Sequence, residues 1–556
     1  MSKRLRPARR LLSPPSKFDS RTARVFSPAT LLLPWLLIAA LFFQAGCNSR
    51  SSDADLVFVN GAEPQTLDPA HINGQLEGRL AYALFEGLTR RNAQGEVEPG
   101  IASSWDISAD ALTYTFHLRP EARWSNGDPV TAQDFYDSWK RVLEPSTASV
   151  YAEILFFIKN AEAYQSGKEK DFKQVGIRVL GSHKLQVQLN SPAPFFPEVI
   201  SFVTYLPVPR STVERHGSAW IKPAHMVNNG PFRLLAWKIN DRVQLQRNES
   251  YWDQARVRLN RIDALSTSQG NTAVNLYLTG QADLLLDKGL IPPQILGELS
   301  QRPDFHRFTF LGTYFYRFNT TRAPLNNPLV RKALSAAIDR QRIVENCTRG
   351  GEPVARSFTP PGIPGYTPPQ GPGFNPDQAR AWLAEAGYPE GKNFPRLSIL
   401  YNSSQAHASI AVEIQAMWKR ELGITIDLQA QEWATYLKAM DSLDYDIARS
   451  SWVGDYLDAN TFLDCFVTGR GNNRTGWSHP DYDQLLAQAN LQTDPQQRLQ
   501  LMARAESILI QEQSPIAPIY FYVGMLCFDA NRIGGIEGNL MDDHPMREWF
   551  LKKKQP

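Results

Sequence analysis

The sequence predicts an α/β fold in which helices and short strands alternate through the second half of the chain. Two observations carry the alternation. Helical periodicity runs from Gln378 to Ala386 and stops at Gly387, and runs again from Ala408 to Leu422 and stops at Gly423. Each helix is followed by a short β segment, Leu397 to Tyr401 and Thr425 to Leu428, the order that lays helices over a sheet. A third observation sets the scale. With 42% hydrophobic and 21% charged residues in a length of 556, the chain can bury a core spread over about three or four domains.

In chain order, the first element is a leader. Residues 1–46 hold eight Lys and Arg against Asp19 alone, so the leader carries +7 of a total of +3 and leaves −4 for the rest. The basicity behind the pI of about 8.5 therefore belongs to a targeting segment, and a nucleic-acid partner loses its support. The apolar stretch Leu31 to Phe43 is too short for a membrane-spanning helix, which needs about 20 residues, but it suits the apolar region of an export signal. Residues 1–46 are read as that signal. Ala45-Gly46-Cys47 follows, small residues directly before a cysteine, and resembles the lipobox of bacterial lipoproteins, which makes Cys47 the expected lipid-attachment residue. Gln44 departs from the leucine usual there. Residues 47–53 then form a polar tether.

The folded body begins with a strand at Leu56 to Val59. Alternating β segments recur at Leu112 to Leu118, Lys184 to Leu189 and Arg242 to Arg247. The Pro- and Gly-rich run Pro360 to Pro376 is expected as a surface excursion between patterned segments. Cys347, Cys465 and Cys527 allow at most one internal disulfide and contain no CxxC. The nine histidines are sparse, and the nearest pair, His216 and His225, misses zinc spacings, so no metal or cofactor is expected. Nucleophile elbows, phosphate loops, HExxH and GxGxxG are all missing.

More specific are Gly61 to Pro69 (GAEPQTLDP), Leu84-Phe85-Glu86-Gly87-Leu88, Tyr114 to Arg119, Trp124 to Ala132, Asn229-Gly230-Pro231-Phe232, Asn248 to Asp253 and Asn327 to Asp339. Together, and in order from about residue 56 to the end, they resemble the periplasmic oligopeptide-binding proteins of peptide ABC importers, bacterial extracellular solute-binding family 5. The resemblance implies a two-lobed α/β periplasmic-binding-protein-like fold with an additional domain and a ligand cleft between the lobes. It implies a discontinuous first lobe (54–75, 205–311 and 525–556), an additional domain (76–204) and a second lobe (312–524). It also implies a monomer that makes and breaks no bond, held at the cell envelope by its lipid, which gives short peptides to an ABC transporter permease.

Within that resemblance, Asp455 is similar to the acid that binds the peptide's α-ammonium group, and Arg449 and His407 to the residues that meet its carboxylate. Trp433 and Trp452 would wall the ligand's side chains, Gly454 would belong to a strand pairing with its main chain, and Glu63 would meet it near a domain crossing. The physics is compatible. A zwitterionic guest needs an acid and a base at fixed separation or leaves buried charges unpaired. Six residues of extended chain set Asp455 and Arg449 roughly 20 Å apart, and a guanidinium fork suits a carboxylate. Alone, however, this spacing reads equally as a charged strand on a solvated sheet. Some positions depart from the resemblance. Gly312 and Val453 stand where many relatives have cysteines, Thr348 where a relative has lysine, and Arg317 where there is an acid. Alternatives of the same fold take a cell-wall peptide, a sugar or a metal complex; a peptidase or glycosidase on the scaffold is a third class.

Overall fold

The structure is a computed structural model that describes residues 53–553 apart from positions 73, 287, 470 and 471, with the backbone alone at 288, 293, 433 and 434. The export signal and Cys47 lie outside the described residues. The strands used below are β1 (Leu56–Gly61), β2 (Ala102–Ile107), β3 (Thr113–Leu118), β4 (Ile177–Gly181), β5 (Lys184–Gln188), β6 (Phe232–Lys238), β7 (Arg242–Arg247), β8 (Arg261–Ser266), β9 (Leu284–Leu285), β10 (Phe305–Phe318), β11 (Leu397–Asn402), β12 (Ile426–Gln431), β13 (Ile447–Val453) and β14 (Ile516–Phe528). The helices used are α1 (Pro376–Glu385), α2 (Gln405–Leu422) and α3 (Trp433–Asp441).

Ten strands form one mixed sheet in the order β12-β11-β13-β10-β14-β9-β1-β8-β7-β6, and four more form a separate antiparallel sheet, β2-β3-β5-β4. The helices end where the sequence says they should. Gly423 follows α2 at φ 71°, a left-handed position that glycine takes without a Cβ penalty, and its N–H reaches the Lys419 carbonyl. The start of α1 lies two residues earlier than the periodicity suggested, because Asn375 caps it by accepting from the Gln378 N–H, with Pro376 in the first turn. In the smaller sheet Tyr114, Phe116 and Leu118 of β3 alternate inward, as the pattern required.

The two longest strands, β10 and β14, escaped the sequence pattern. They pair antiparallel from Phe305↔Cys527 to Thr309↔Val523, then again from Thr313↔Phe521, so that Phe310, Leu311 and Gly312 face Tyr522 alone. On one side of this break the core gathers Val57, Val59, Leu285, Met525 and Cys527. On the other, one group gathers Tyr314, Tyr316, Ile399, Ile414 and Trp418, and another Leu311, Phe315, Phe358 and Phe462. Separate apolar cores joined through a bulged strand pair make a two-lobed α/β molecule.

The Pro-rich run is more than a surface excursion. Ile363 and Tyr366 are buried, and the Tyr366 hydroxyl donates to the buried Glu506 carboxylate, which also accepts from the Phe358 and Thr359 N–H groups at 2.8 Å. Burial outweighs these bonds and pushes Glu506 up to about 7. Cys347, Cys465 and Cys527 are free. No helix among the described residues is long and apolar enough to cross a membrane.

Candidate binding site

The end of β13 faces a cavity of about 840 Å³, whose walls include Tyr82, Arg91, Glu153, Trp452, Gly454 and Asp455. β13 is positioned from one side only. It pairs with β10 along its whole length, from Phe318↔Ile447 to Gly312↔Val453. The parallel ladder with β11 stops at Leu400↔Ala448. Along Arg449–Val453 the other edge carries no strand among the described residues, although the Tyr436 hydroxyl caps the Arg449 carbonyl at 2.5 Å. Such an edge can take an extended chain by main-chain pairing.

Gly454 continues that strand past its last pair and donates its N–H to the Leu311 carbonyl at 2.8 Å. A Cβ at this position would stand 2.6 Å from Leu311 Cδ2 and 2.9 Å from Thr461 Cγ2, so only glycine lets β13 approach this closely. The Asp455 N–H then donates to Thr461 Oγ1 at 3.1 Å, which turns the side chain's residue into the cavity wall. Its carboxylate has no hydrogen-bond or ion-pair partner among the described residues. Burial first, and the charge of Glu153 second, push Asp455 up to about 6, with Arg91 opposing. Trp452 lies opposite Thr313, half-buried, with its indole N–H unpartnered.

Arg449 and His407 form a second cluster. Arg449 is 7% exposed; its guanidinium donates to Asn402 Oδ1 at 3.2 Å and to the Tyr522 hydroxyl at 3.4 Å, and lies 4.8 Å over the Tyr314 ring. Its Nε is buried and unpartnered, and no carboxylate of a described residue is within ion-pair distance. His407, in the first turn of α2, shares a 3.2 Å hydrogen bond with the Tyr314 hydroxyl. Burial and then the Arg449 charge push His407 down to about 4, so the ring is neutral at pH 7. Neither residue lines the cavity. Tyr522 joins the two clusters, since it lines the cavity and accepts from Arg449.

The remaining sequence-predicted residues are placed elsewhere. Glu63 accepts from the Trp237 indole N–H at 2.7 Å and from the Asn240 N–H at 2.9 Å, which engages both oxygens outside the cavity. Trp433 opens α3, and its side chain is outside the description. Gly312 and Val453 sit directly opposite each other in the β10–β13 ladder. Thr348 donates to Glu352 at 2.7 Å. Arg317, 3% exposed, donates to Ser450 Oγ at 3.0 Å and to the Asn472 carbonyl at 2.8 Å. Sequence reasoning missed Glu153, Arg91 and Tyr522. The Arg91 guanidinium reaches the Asp455 carbonyl at 3.4 Å across 364 positions of sequence, a contact no local pattern announces.

A two-lobed body with an unpaired acid, an unpaired base and an open strand edge is the arrangement of a solute-binding protein of the periplasmic type. The chain belongs to the bacterial extracellular solute-binding proteins, family 5, whose description (family 5 Middle) it matches over residues 96–474. It is 38% identical over 529 residues to the oligopeptide-binding protein OppA of Bacillus subtilis (strain 168), covering 92% of this chain and 96% of that one. Among solved structures it resembles the unliganded open form of the periplasmic murein tripeptide-binding protein MppA at TM-score 0.82 and 35% identity, covering 90% of this chain and 98% of the other. It resembles Haemophilus influenzae OppA in complex with the peptide RPPGFSPFR at TM-score 0.69 and 33% identity, covering 90% and 100%. At nearly equal identity, the fit is better to the open, empty relative.

Proposed function

We propose that this protein is an exported receptor, anchored through a lipid on Cys47, that captures short peptides between its lobes and hands them to the permease of an ABC importer. The carrying observation is the partnerless Asp455 carboxylate beside the free edge of β13. Asp455 takes the peptide's α-ammonium group, main-chain groups of Ser450 to Gly454 pair with the ligand backbone, and Trp452 and Trp433 wall its side chains. Arg449 and, once protonated, His407 take the far carboxylate when the lobes close. Glu63, whose two oxygens accept from Trp237 and Asn240, meets the ligand near a domain crossing. The lobes are assigned as 54–75, 205–311 and 525–556 for the first and 312–524 for the second, with 76–204 as the additional domain. The register break at Phe310–Gly312 supports a boundary between residues 311 and 312. The receptor acts as a monomer and binds without chemistry.

The experiment is thermal unfolding of the purified protein with tri- and tetrapeptides. The midpoint should rise with peptide, and Asp455→Ala should remove the rise. An unchanged wild-type midpoint with a broad peptide mixture would count decisively against a peptide ligand. A second reading, a cell-wall peptide as cargo, is favoured by the likeness to the murein tripeptide-binding protein. Mass spectrometry of the ligand released on denaturation separates the two.

A further inference from the structure

We infer that Phe195, which lies outside the binding cavity, is a positioning residue for Asp455: it holds Tyr456, the next residue along the chain, and through it the carboxylate that meets the ligand. The inference rests on the peptide-receptor reading and adds to its binding machinery a residue from the segment 76–204. The Tyr456 and Phe195 rings are parallel, with centroids 5.0 Å apart, the spacing of an offset stack. Phe157 meets both edge-on, at 6.4 Å from Tyr456 and 5.7 Å from Phe195. Tyr456 and Phe157 line the cavity and Phe195 does not, so Phe195 acts on the site through its neighbours.

The stack is one side of a closed ring of contacts. Phe195 also carries the Arg498 guanidinium 5.3 Å from its centroid. Arg498 donates twice to the Asp458 carboxylate, at 2.7 and 2.8 Å, and Asp458 also accepts from the Asn460 N–H at 2.8 Å. The Asn460 side-chain amide closes the ring by donating to the Tyr456 hydroxyl at 3.1 Å. Tyr456, Phe195, Arg498, Asp458 and Asn460 are all buried. Behind Phe195, the Tyr114 hydroxyl of β3 donates to the Ala193 carbonyl at 2.8 Å, and its ring lies 5.2 Å from that of Phe196, which ties this run to the small sheet. Asp455 is therefore fixed from both sides. Thr461 takes its N–H, and the ring of contacts holds the residue after it. A buried carboxylate without a partner is drawn toward water, and this packing is what keeps it aimed into the cavity.

The test is calorimetric titration of the purified protein with Ala-Ala-Ala at pH 7 and pH 5. Asp455, pushed up to about 6 mainly by burial, faces Glu153, Arg91 and Tyr151, with Tyr456 and Cys465 on its own side. Without the stack, water reaches the carboxylate, so its proton affinity falls toward the ordinary value while its alignment with the ammonium group is lost. In the wild type the Kd should weaken about tenfold from pH 7 to pH 5. Phe195→Leu should bind about tenfold more weakly than the wild type at pH 7, and its Kd should change by less than about threefold between the two pH values. Tyr456→Leu removes the stack from its other side and should show both effects; it carries the test if Phe195→Leu does not fold. Phe172→Leu, equally buried in the same segment but packed on Tyr136 and Tyr164 away from the cavity, should keep the wild-type affinity and pH dependence. A wild-type pH dependence in Phe195→Leu and Tyr456→Leu, or the same losses in Phe172→Leu, would overturn the inference while leaving the peptide reading in place. A wild-type protein that binds no peptide overturns both.

Discussion

Replacing Asp455 with asparagine should make the empty protein more stable while abolishing its response to peptide. Folding lifts this carboxyl from its ordinary 3.8 to about 6, through burial and the nearby charge of Glu153. Between these two values the folded state holds more protons than the unfolded chain. Stability therefore falls as pH rises through that window, and the penalty is complete above it. At about 1.4 kcal/mol per pH unit, ionised Asp455 costs the empty protein up to about 3 kcal/mol at pH 7.5. Asparagine keeps the shape and loses the charge. Urea denaturation of the ligand-free protein should place Asp455→Asn above the wild type at pH 7.5 by about 1–3 kcal/mol, with the two converging near pH 4. A variant less stable than the wild type at pH 7.5, or one whose midpoint still rises with tripeptide, would refute the reasoning.

The same carboxyl gives binding its own pH dependence. An ammonium ion requires the ionised acid, so below pH 6 ligand must displace a proton. At pH 5 only about one empty molecule in ten has Asp455 ionised, and the apparent Kd should be about tenfold weaker than at pH 7. At pH 6 binding should release about half a proton from Asp455. Titrations in buffers of different ionisation enthalpy detect that proton, and Asp455→Asn should remove it.

Two further outcomes follow from neighbouring residues. Amidating the carboxyl terminus of a tightly bound peptide should weaken wild-type binding about a hundredfold, because the buried, unpaired Arg449 guanidinium loses its anion. In Arg449→Met the acid and the amide should bind within about threefold of each other, as read by competition titration. Gly454→Ala should lower stability by about 1–3 kcal/mol in urea denaturation, since the new Cβ meets Leu311, which is fully buried and has no free space to yield.

What the sequence disclosed depended on whether a feature was local. The helices around Gln378–Ala386 and Ala408–Leu422 were legible because each has one buried face and a glycine stop. Strand β3 was legible because its faces differ. Strands β10 and β14 were not: most of Tyr314 to Phe318 and of Ile516 to Phe528 is buried on both faces, so neither alternates. Pro518 also sits in β14 as an apparent strand breaker, but the register shift between Tyr314 and Phe315 accommodates it. Asp455 and Arg449 were visible only through family likeness, since an acid and a base six residues apart are common. Glu153 and Arg91 carry no sequence signal at all, because their importance comes from segments hundreds of residues away.

On the proposed reading, the two unpaired charges also bear on how such a receptor would respond to its ligand. In the empty molecule Asp455 and Arg449 each bear the cost of burial without a counter-ion, and each is held by neutral groups: Thr461 for the main chain at the acid, Asn402 and Tyr522 for the base. Pairing them directly would stabilise the empty closed form and compete with ligand. Because both lie on one strand and its extension, they cannot collapse onto each other, and on the proposed reading a guest with a cation at one end and an anion at the other would supply both counter-ions. On the proposed reading, a closure about the register break at Phe310–Gly312 would be favoured by such a guest.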